Sequence, residues 1–292
     1  MDFALLKAVS RSFYLSMVWL PLAMRRGIAL GYMLARATDS VADTSCAPVE
    51  KRAEVLRQMG LAIAGEACAA DLLPLLRGEM ADAQSKESEA MLLRRFDECL
   101  ELLHQVSEGE RILIRRVLST IIEGQLWDLT YFAECGSVES DAETWRYTYM
   151  VAGCVGEFWT DLGLVTMGRQ FCRPERRDIM AEAAKRYGQG LQLVNILRDM
   201  DEDAARGRRY IGSDPLPWLR RARRYLNDGL DYARRLGTFR LRFTAMLPAL
   251  LGLRTLQLIA QRAGSERVKV TRRVVYATLL EAAWLSTWQK HA

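Results

Sequence analysis

The stretch Gln192-Leu-Val-Asn195-Ile-Leu-Arg-Asp199-Met-Asp-Glu-Asp203 constrains this chain more than any other. Its polar residues at 192, 195, 199 and 203 advance by three, four and four, so a helix stacks two amides and two carboxylates on one face. Leu191, Leu193, Val194, Ile196 and Leu197 surround the amides with side chains that demand burial. Carboxylates four residues apart on a helix repel by roughly a few tenths of a kcal/mol, and apolar neighbours deprive them of water. A helix built this way calls for a positive partner, and hard cations with oxygen ligands are the natural candidates.

The rest of the chain is helical in the same way. Half of the 292 residues are apolar and only seven are proline. Alternating β-branched runs are scarce, and Leu, Ala, Arg, Glu and Met dominate, which is the composition of an all-α protein. The pattern predicts helices over 2–20, from Leu22 to about Asp43, and over 49–66, 89–106, 109–135, Asp141 to Met167, Pro174 to Asp203, 215–236, 240–263 and 267–290. Residues 68–88 are mixed, and 204–213 form a loop rich in Gly and Arg. No repeat or low-complexity linker divides the chain, so a single domain over 1–292 is expected. The first ten residues lack a basic segment followed by an apolar run, so no signal peptide is expected. The nearest approach to a membrane span is Phe243 to Ala260, interrupted by Pro248, Arg254 and Gln257, and it reads as a buried helix.

Six cysteines (46, 68, 99, 135, 154, 172) show neither CxxC nor metal-ligand spacing, and His104 and His291 are the only histidines. Zinc and Cys/His nucleophile chemistry are thereby disfavoured, and reduced thiols in the cytoplasm are expected. The net charge of +5 is unevenly spread. Between Ala204 and Arg242 stand eleven Arg against three Asp, about +8. That bias points to an anionic partner, whether a phosphorylated substrate, nucleic acid or a membrane surface met peripherally at its inner face, or else to a solvated basic face at Arg220 to Arg224.

A second carboxylate pair stands in Arg36-Ala-Thr-Asp39-Ser-Val-Ala-Asp43, again four residues apart on an otherwise apolar helix, with Tyr32 and Arg36 on the same face. One DxxxD pair is a weak signal, because spaced acids recur on solvated helices. Two pairs, each in an apolar helix with an Arg alongside, are suited to handling a diphosphate. Mg²⁺ is commonly held by one or two carboxylates plus substrate phosphates. Metal ions and arginines then stabilise the charge on a diphosphate leaving group, while an apolar pocket shields the carbocation left behind.

These residues resemble the squalene and phytoene synthase family, nearest its squalene synthases. Val9-Ser-Arg-Ser-Phe13 and Arg36 to Asp43 are similar to its first blocks. Tyr147-Thr-Tyr-Met-Val-Ala-Gly-Cys-Val-Gly156 resembles its central helix, and Gln192 to Asp203 with Gly207-Arg208 its second Asp-rich block and flap. The resemblance runs from about residue 9 to 212.

The resemblance implies an all-α isoprenoid synthase bundle with a central cavity. It implies head-to-head joining of two prenyl diphosphates through a cyclopropyl diphosphate, with Mg²⁺ as cofactor. Asp39, Asp43, Asp199 and Asp203 would bind the metals, with Gln192 and Asn195 supporting the second metal face. Arg36, Arg198 and Arg208 would hold diphosphates. Ser10, Arg11 and Ser12 would line the first substrate's diphosphate site, Phe13 the cavity, and Tyr147 would carry a proton near the departing diphosphate. Squalene synthases often carry an acid just before the last Asp of the first block, where this chain has Ala42. That puts a copied metal count in doubt, but not the pair itself.

Squalene as product would require a hydride from NADPH, and no Gly-rich strand-to-helix fingerprint is present to bind it. Dehydrosqualene and phytoene are the alternative products, and a terpene cyclase is a more distant reading. Acids inside apolar helices argue against a nucleic-acid binder or a mere scaffold. Gln125 and Asp128 share a helix side, either as polar support for a cavity or as a helix-to-helix hydrogen bond. Gly153 and Gly156 serve either close helix packing or room for a prenyl chain.

Overall fold

The computed structural model describes residues 2–10, 13–212, 214–261 and 268–287. They are all-α, with no strand among them. The chain divides into two compact units, one of residues 1–18 and 22–134, the other of 19–21 and 135–292.

The first unit holds α1 (Phe3–Ser10), α2 (Phe13–Trp19), α3 (Leu22–Ala42), α4 (Val49–Ala64), a short α5 (Leu72–Leu75), α6 (Glu87–Arg94), α7 (Phe96–Gln105) and α8 (Glu108–Glu134). Its axis is α3, which starts directly after Pro21 and packs against α4, α6, α7 and α8. Leu30, Leu34, Ala37 and Val41 recur at helical spacing and are fully buried, so this stripe fixes the rotation of α3. The carbonyls at its C-terminal end are claimed by polar side chains. Arg52 donates to the Ala42 carbonyl (2.6 Å) and Gln84 to that of Ser40 (3.3 Å). The Ser40 carbonyl also accepts from the Thr44 hydroxyl (2.8 Å), so the helix end is satisfied by side chains.

The second unit holds α9 (Asp141–Thr148), α10 (Cys154–Met167), α11 (Arg177–Ala205), α12 (Leu216–Arg234), α13 (Phe239–Gln261) and α14 (Arg272–Leu285). Here α11 is the axis, packed against α10, α12 and α13. A Cβ on Gly156 would lie 2.0 Å from the Ala184 carbonyl oxygen, and one on Gly188 2.2 Å from that of Ala152. Close helix packing therefore explains Gly156, and Gly153 is tight against Gln189 (3.0 Å). By length and composition alone α13 is apolar enough to cross a membrane, a test that the core helix of a globular protein also passes. More than half of it is buried, and it packs against α11, α12 and α14 as a core helix.

Three helix boundaries differ from the expected ones. Residues 89–106 form two helices hinged at Arg95 (φ −109°, ψ 25°), a break marked by neither Gly nor Pro. The segment from 141 to 167 begins at a capping box between Ser140 and Glu143, which the sequence pattern encodes locally. It is then interrupted by a π-helical turn at Tyr149–Gly153. At the N-terminus α1 and α2 are separate, and positions 11 and 12 lie outside the described residues.

Candidate functional site

In the first unit, Arg36 forms ion pairs with both Asp39 and Glu89, and Lys86 also reaches Glu89 (2.8 Å). Burial opposes the charge on Arg36, yet Asp39 and Glu89 outweigh it and raise its affinity for the proton. Glu89 is buried too, but hydrogen bonds from Lys86 and Arg36 hold it below the usual carboxylate range. Asp39 behaves the other way. Burial, reinforced by repulsion from Asp43, pushes it up to about 7, and Arg36 only partly compensates. Its side chain nonetheless keeps 40% of its accessible surface, so a ligand can reach the carboxylate that the protein crowds.

Position along the helix sharpens this demand. Asp39 lies in the last turn of α3 and Asp43 one residue beyond its end, where the helix dipole is negative. No basic residue occupies that last turn. The Ala42 backbone carbonyl accepts from Arg52. Ser10 is buried and its hydroxyl donates to the Leu6 carbonyl (2.5 Å), while Tyr32 donates to the Val9 carbonyl (3.3 Å). Arg11 and Ser12 lie outside the described residues, as does the side chain of Phe13.

The second unit repeats the device. Asp199 and Asp203 sit near the C-terminal end of α11, again with no basic residue in the last turn. Arg198 clasps Asp199 with two parallel hydrogen bonds, 2.8 Å from Nε and 2.5 Å from Nη2. Those bonds, more than the opposing burial, raise the proton affinity of Arg198. Leu193, Val194, Ile196 and Leu197 are buried, and the amides of Gln192 and Asn195 meet on the open side at 3.3 Å.

The loop after α11 is fastened at several points. Gly207 adopts a left-handed conformation (φ 78°), and the Arg208 amide donates to the Asp203 carbonyl (2.8 Å). Val138 donates to the Arg209 carbonyl (2.9 Å), and the Thr144 hydroxyl to that of Tyr210. Tyr210 stacks on Tyr147 with ring centres 5.0 Å apart. Tyr147 is thus a buried phenol held against the arginine-rich loop that follows the second acidic pair.

Sequence reasoning missed Glu89, Lys86, Arg52, Gln84 and Tyr210. An acid inside the short α6, next to Ala90, Leu92 and Leu93, was the one available signal for Glu89. Of the polar pair on α8, Gln125 and Asp128 are both buried. The Gln125 side-chain oxygen has no hydrogen-bond partner among the described residues, so it makes no helix-to-helix bond. The basic segment is partly committed to structure. Arg242 is buried on backbone carbonyls, Arg234 pairs with Asp231 and Arg206 with Glu202. Arg220, Arg221, Arg223 and Arg224 are exposed on α12, with Arg221 4.6 Å from the centre of the Trp145 ring. All six cysteines are free.

An all-α chain with two helix-borne aspartate pairs, each braced by an arginine, defines the class of protein. The squalene/phytoene synthase profile matches residues 6–218. The chain belongs to that family. A squalene synthase of Schizosaccharomyces pombe is 28% identical over 209 residues, covering 69% of this chain and 41% of that protein. A bifunctional lycopene cyclase/phytoene synthase of Phaeosphaeria nodorum is also 28% identical, over 229 residues, covering 78% of this chain and 34% of that one. The chain thus spans well under half the length of these relatives. Among solved structures, TcSQS in complex with the ligand E5700 superposes with a TM-score of 0.76 at 21% identity, covering 97% of this chain and 87% of that one. Squalene synthase HpnC from Alicyclobacillus acidocaldarius gives 0.56 at 16% identity, covering 88% and 91%.

Proposed function

We propose that this chain is a prenyltransferase that joins two farnesyl diphosphates head to head through presqualene diphosphate and releases squalene. The observation that carries the reading is the repeated device. Each carboxylate pair lies toward the C-terminal end of its helix, beside an arginine, in a chain of this family. Both pairs are suited to cations and to the diphosphates that cations accompany.

Among the described residues no cluster of three or more Asp, Glu, His or Cys could hold a metal ion unaided. Pairs of carboxylates fit Mg²⁺, which takes the remainder of its coordination from water and substrate phosphate. Asp39 and Asp43 would hold it in one unit, Asp199 and Asp203 with Asn195 in the other. When bound, Mg²⁺ neutralises charge on the diphosphate oxygens.

The residues of the chain perform the remaining tasks. Arg36 and Arg198 orient the carboxylates they pair with and remain charged to meet a diphosphate. Arg208 approaches from the loop after α11, with Gln192 as a further polar contact. In the first half-reaction the C–O bond of one substrate breaks and its electron pair leaves with diphosphate. The second substrate's double bond attacks the allylic cation, and a proton is lost as the cyclopropane closes. Tyr147, a buried phenol on α9 stacked against that loop, carries this proton toward the departing diphosphate.

Reduction to squalene requires a hydride, for which NADPH is the proposed donor. With no strand among the described residues, no Gly-rich strand-to-helix turn is available for it and no residue is assigned to it. Phytoene or dehydrosqualene is the second reading, favoured by the equal identity to a phytoene synthase relative. The test incubates the protein with farnesyl or geranylgeranyl diphosphate and Mg²⁺, with and without NADPH, and identifies the hydrocarbon by mass. Squalene formed only with NADPH supports the first reading. Phytoene from the longer substrate supports the second, and no hydrocarbon from either refutes both.

A further inference from the structure

The last described helix is built inside out for a protein that meets only water. Along α14 the residues turned inward are small: Thr278, Ala282 and, just past its end, Ser286 are fully buried. Their hydroxyls are satisfied locally, Thr278 on the Val274 carbonyl (2.7 Å) and Ser286 on that of Ala282 (2.6 Å). The large apolar residues face out. Tyr276, Leu280 and Trp284, each four residues from the next, remain 67%, 75% and 65% exposed. They form one continuous stripe on the side away from the buried one.

The helix is held in that orientation. Arg242 of α13 donates to the Ser286 carbonyl (2.7 Å), and Arg254 pairs with Glu281 (2.8 Å), so α13 and α14 pack antiparallel. The stripe therefore cannot be buried by rolling α14 over without breaking both. Its charge is one-sided as well. Lys269, Arg272 and Arg273 are exposed at its N-terminal end, and the helix's one acid, Glu281, is engaged by Arg254.

We propose that the outer face of α14 docks on an anionic lipid bilayer. Tyr and Trp rings at the two ends of an apolar stripe suit the boundary between headgroups and acyl chains, with Leu280 between them reaching the acyl region. Lys269, Arg272 and Arg273 supply the charge complementary to lipid phosphate. The inference is independent of the reaction proposed above.

The test is cosedimentation of the full chain with phosphatidylcholine vesicles, with and without phosphatidylglycerol. Wild-type protein binds the anionic vesicles at low salt and releases as salt rises. Leu280→Ser with Trp284→Ser binds at least about tenfold more weakly with an unchanged melting temperature. Arg272→Gln with Arg273→Gln abolishes the preference for phosphatidylglycerol. Bromine-labelled acyl chains quench part of the wild-type tryptophan fluorescence, and Trp284→Phe removes that part, an independent check should the double variant fail to fold. The proposal is overturned if wild type ignores anionic vesicles, or if the α14 variants bind like wild type. It is equally overturned if binding is lost only on replacing Arg220, Arg223 and Arg224 of α12. Self-association that depends on Leu280 and Trp284, without lipid binding, also overturns it.

Discussion

Asparagine at position 39 removes a carboxylate whose charge the fold opposes, so it separates the needs of the site from the stability of the chain. Asp39 holds its proton up to about 7, against an ordinary value of 3.8, because of burial and then Asp43. At about 1.4 kcal/mol per tenfold in proton affinity, that difference sets a ceiling of ~4 kcal/mol. Water reaches 40% of the side chain, and screening reduces the expected effect to about 1–2 kcal/mol. The sign follows from the raised value. The protonated form favours folding fully below the unfolded value near 3.8, and that advantage is lost as pH rises through 7.

Between pH ~5.5 and ~8.5 only the upper part of this titration is sampled, so urea denaturation of the metal-free protein should show wild type losing about 0.5–1 kcal/mol relative to Asp39→Asn at the higher pH. Adding Mg²⁺ with inorganic diphosphate should restore wild type more strongly at the higher pH, where no proton has to be displaced, and leave Asp39→Asn unmoved. Parallel pH profiles for the two proteins would refute the reasoning, because Asp39 would then carry no strained charge.

Further outcomes follow from the same geometry. Asp199→Ala should lower turnover of farnesyl diphosphate about a hundredfold to a thousandfold or more with the fold preserved, since Arg198 loses its partner on an accessible face. A chelator should stop turnover and Mg²⁺ restore it; chelator-insensitive consumption would contradict the metal assignment. Tyr147→Phe keeps the ring stack on Tyr210 but loses the hydroxyl, so kcat should fall about 10²-fold or more while Tm stays within a few degrees. Gly156→Ala would drive a methyl group to 2.0 Å from the Ala184 carbonyl oxygen, and thermal denaturation should show a loss of about 1–3 kcal/mol or more.

Much of this protein was legible in its sequence, because helices announce themselves locally. Spacing put Asp39 with Asp43, and Asp199 with Asp203, on shared helix faces, and it paired Arg36 with Asp39 at i and i+3. The Ser140 and Glu143 capping box is likewise a signal four residues long. What spacing could not supply was the partner from elsewhere in the chain. Glu89 reaches Arg36 across 53 residues and Tyr210 meets Tyr147 across the whole of α10 and α11, neither with a local signature. The hinge at Arg95 escaped because neither Gly nor Pro marks it, and the π-turn at 149–153 escaped because its Gly153 reads equally as a packing glycine.

The same division holds for α14. Sequence alone predicted a helix over 267–290 with apolar residues on most sides, a pattern equally at home in a core; the structure bounds it at Arg272–Leu285. Only the tertiary structure decided which stripe is buried, because Arg242 and Arg254 on α13 turn Thr278 and Ala282 inward and leave Tyr276, Leu280 and Trp284 facing out. Local spacing sets which residues share a face, and long-range contacts set what that face meets.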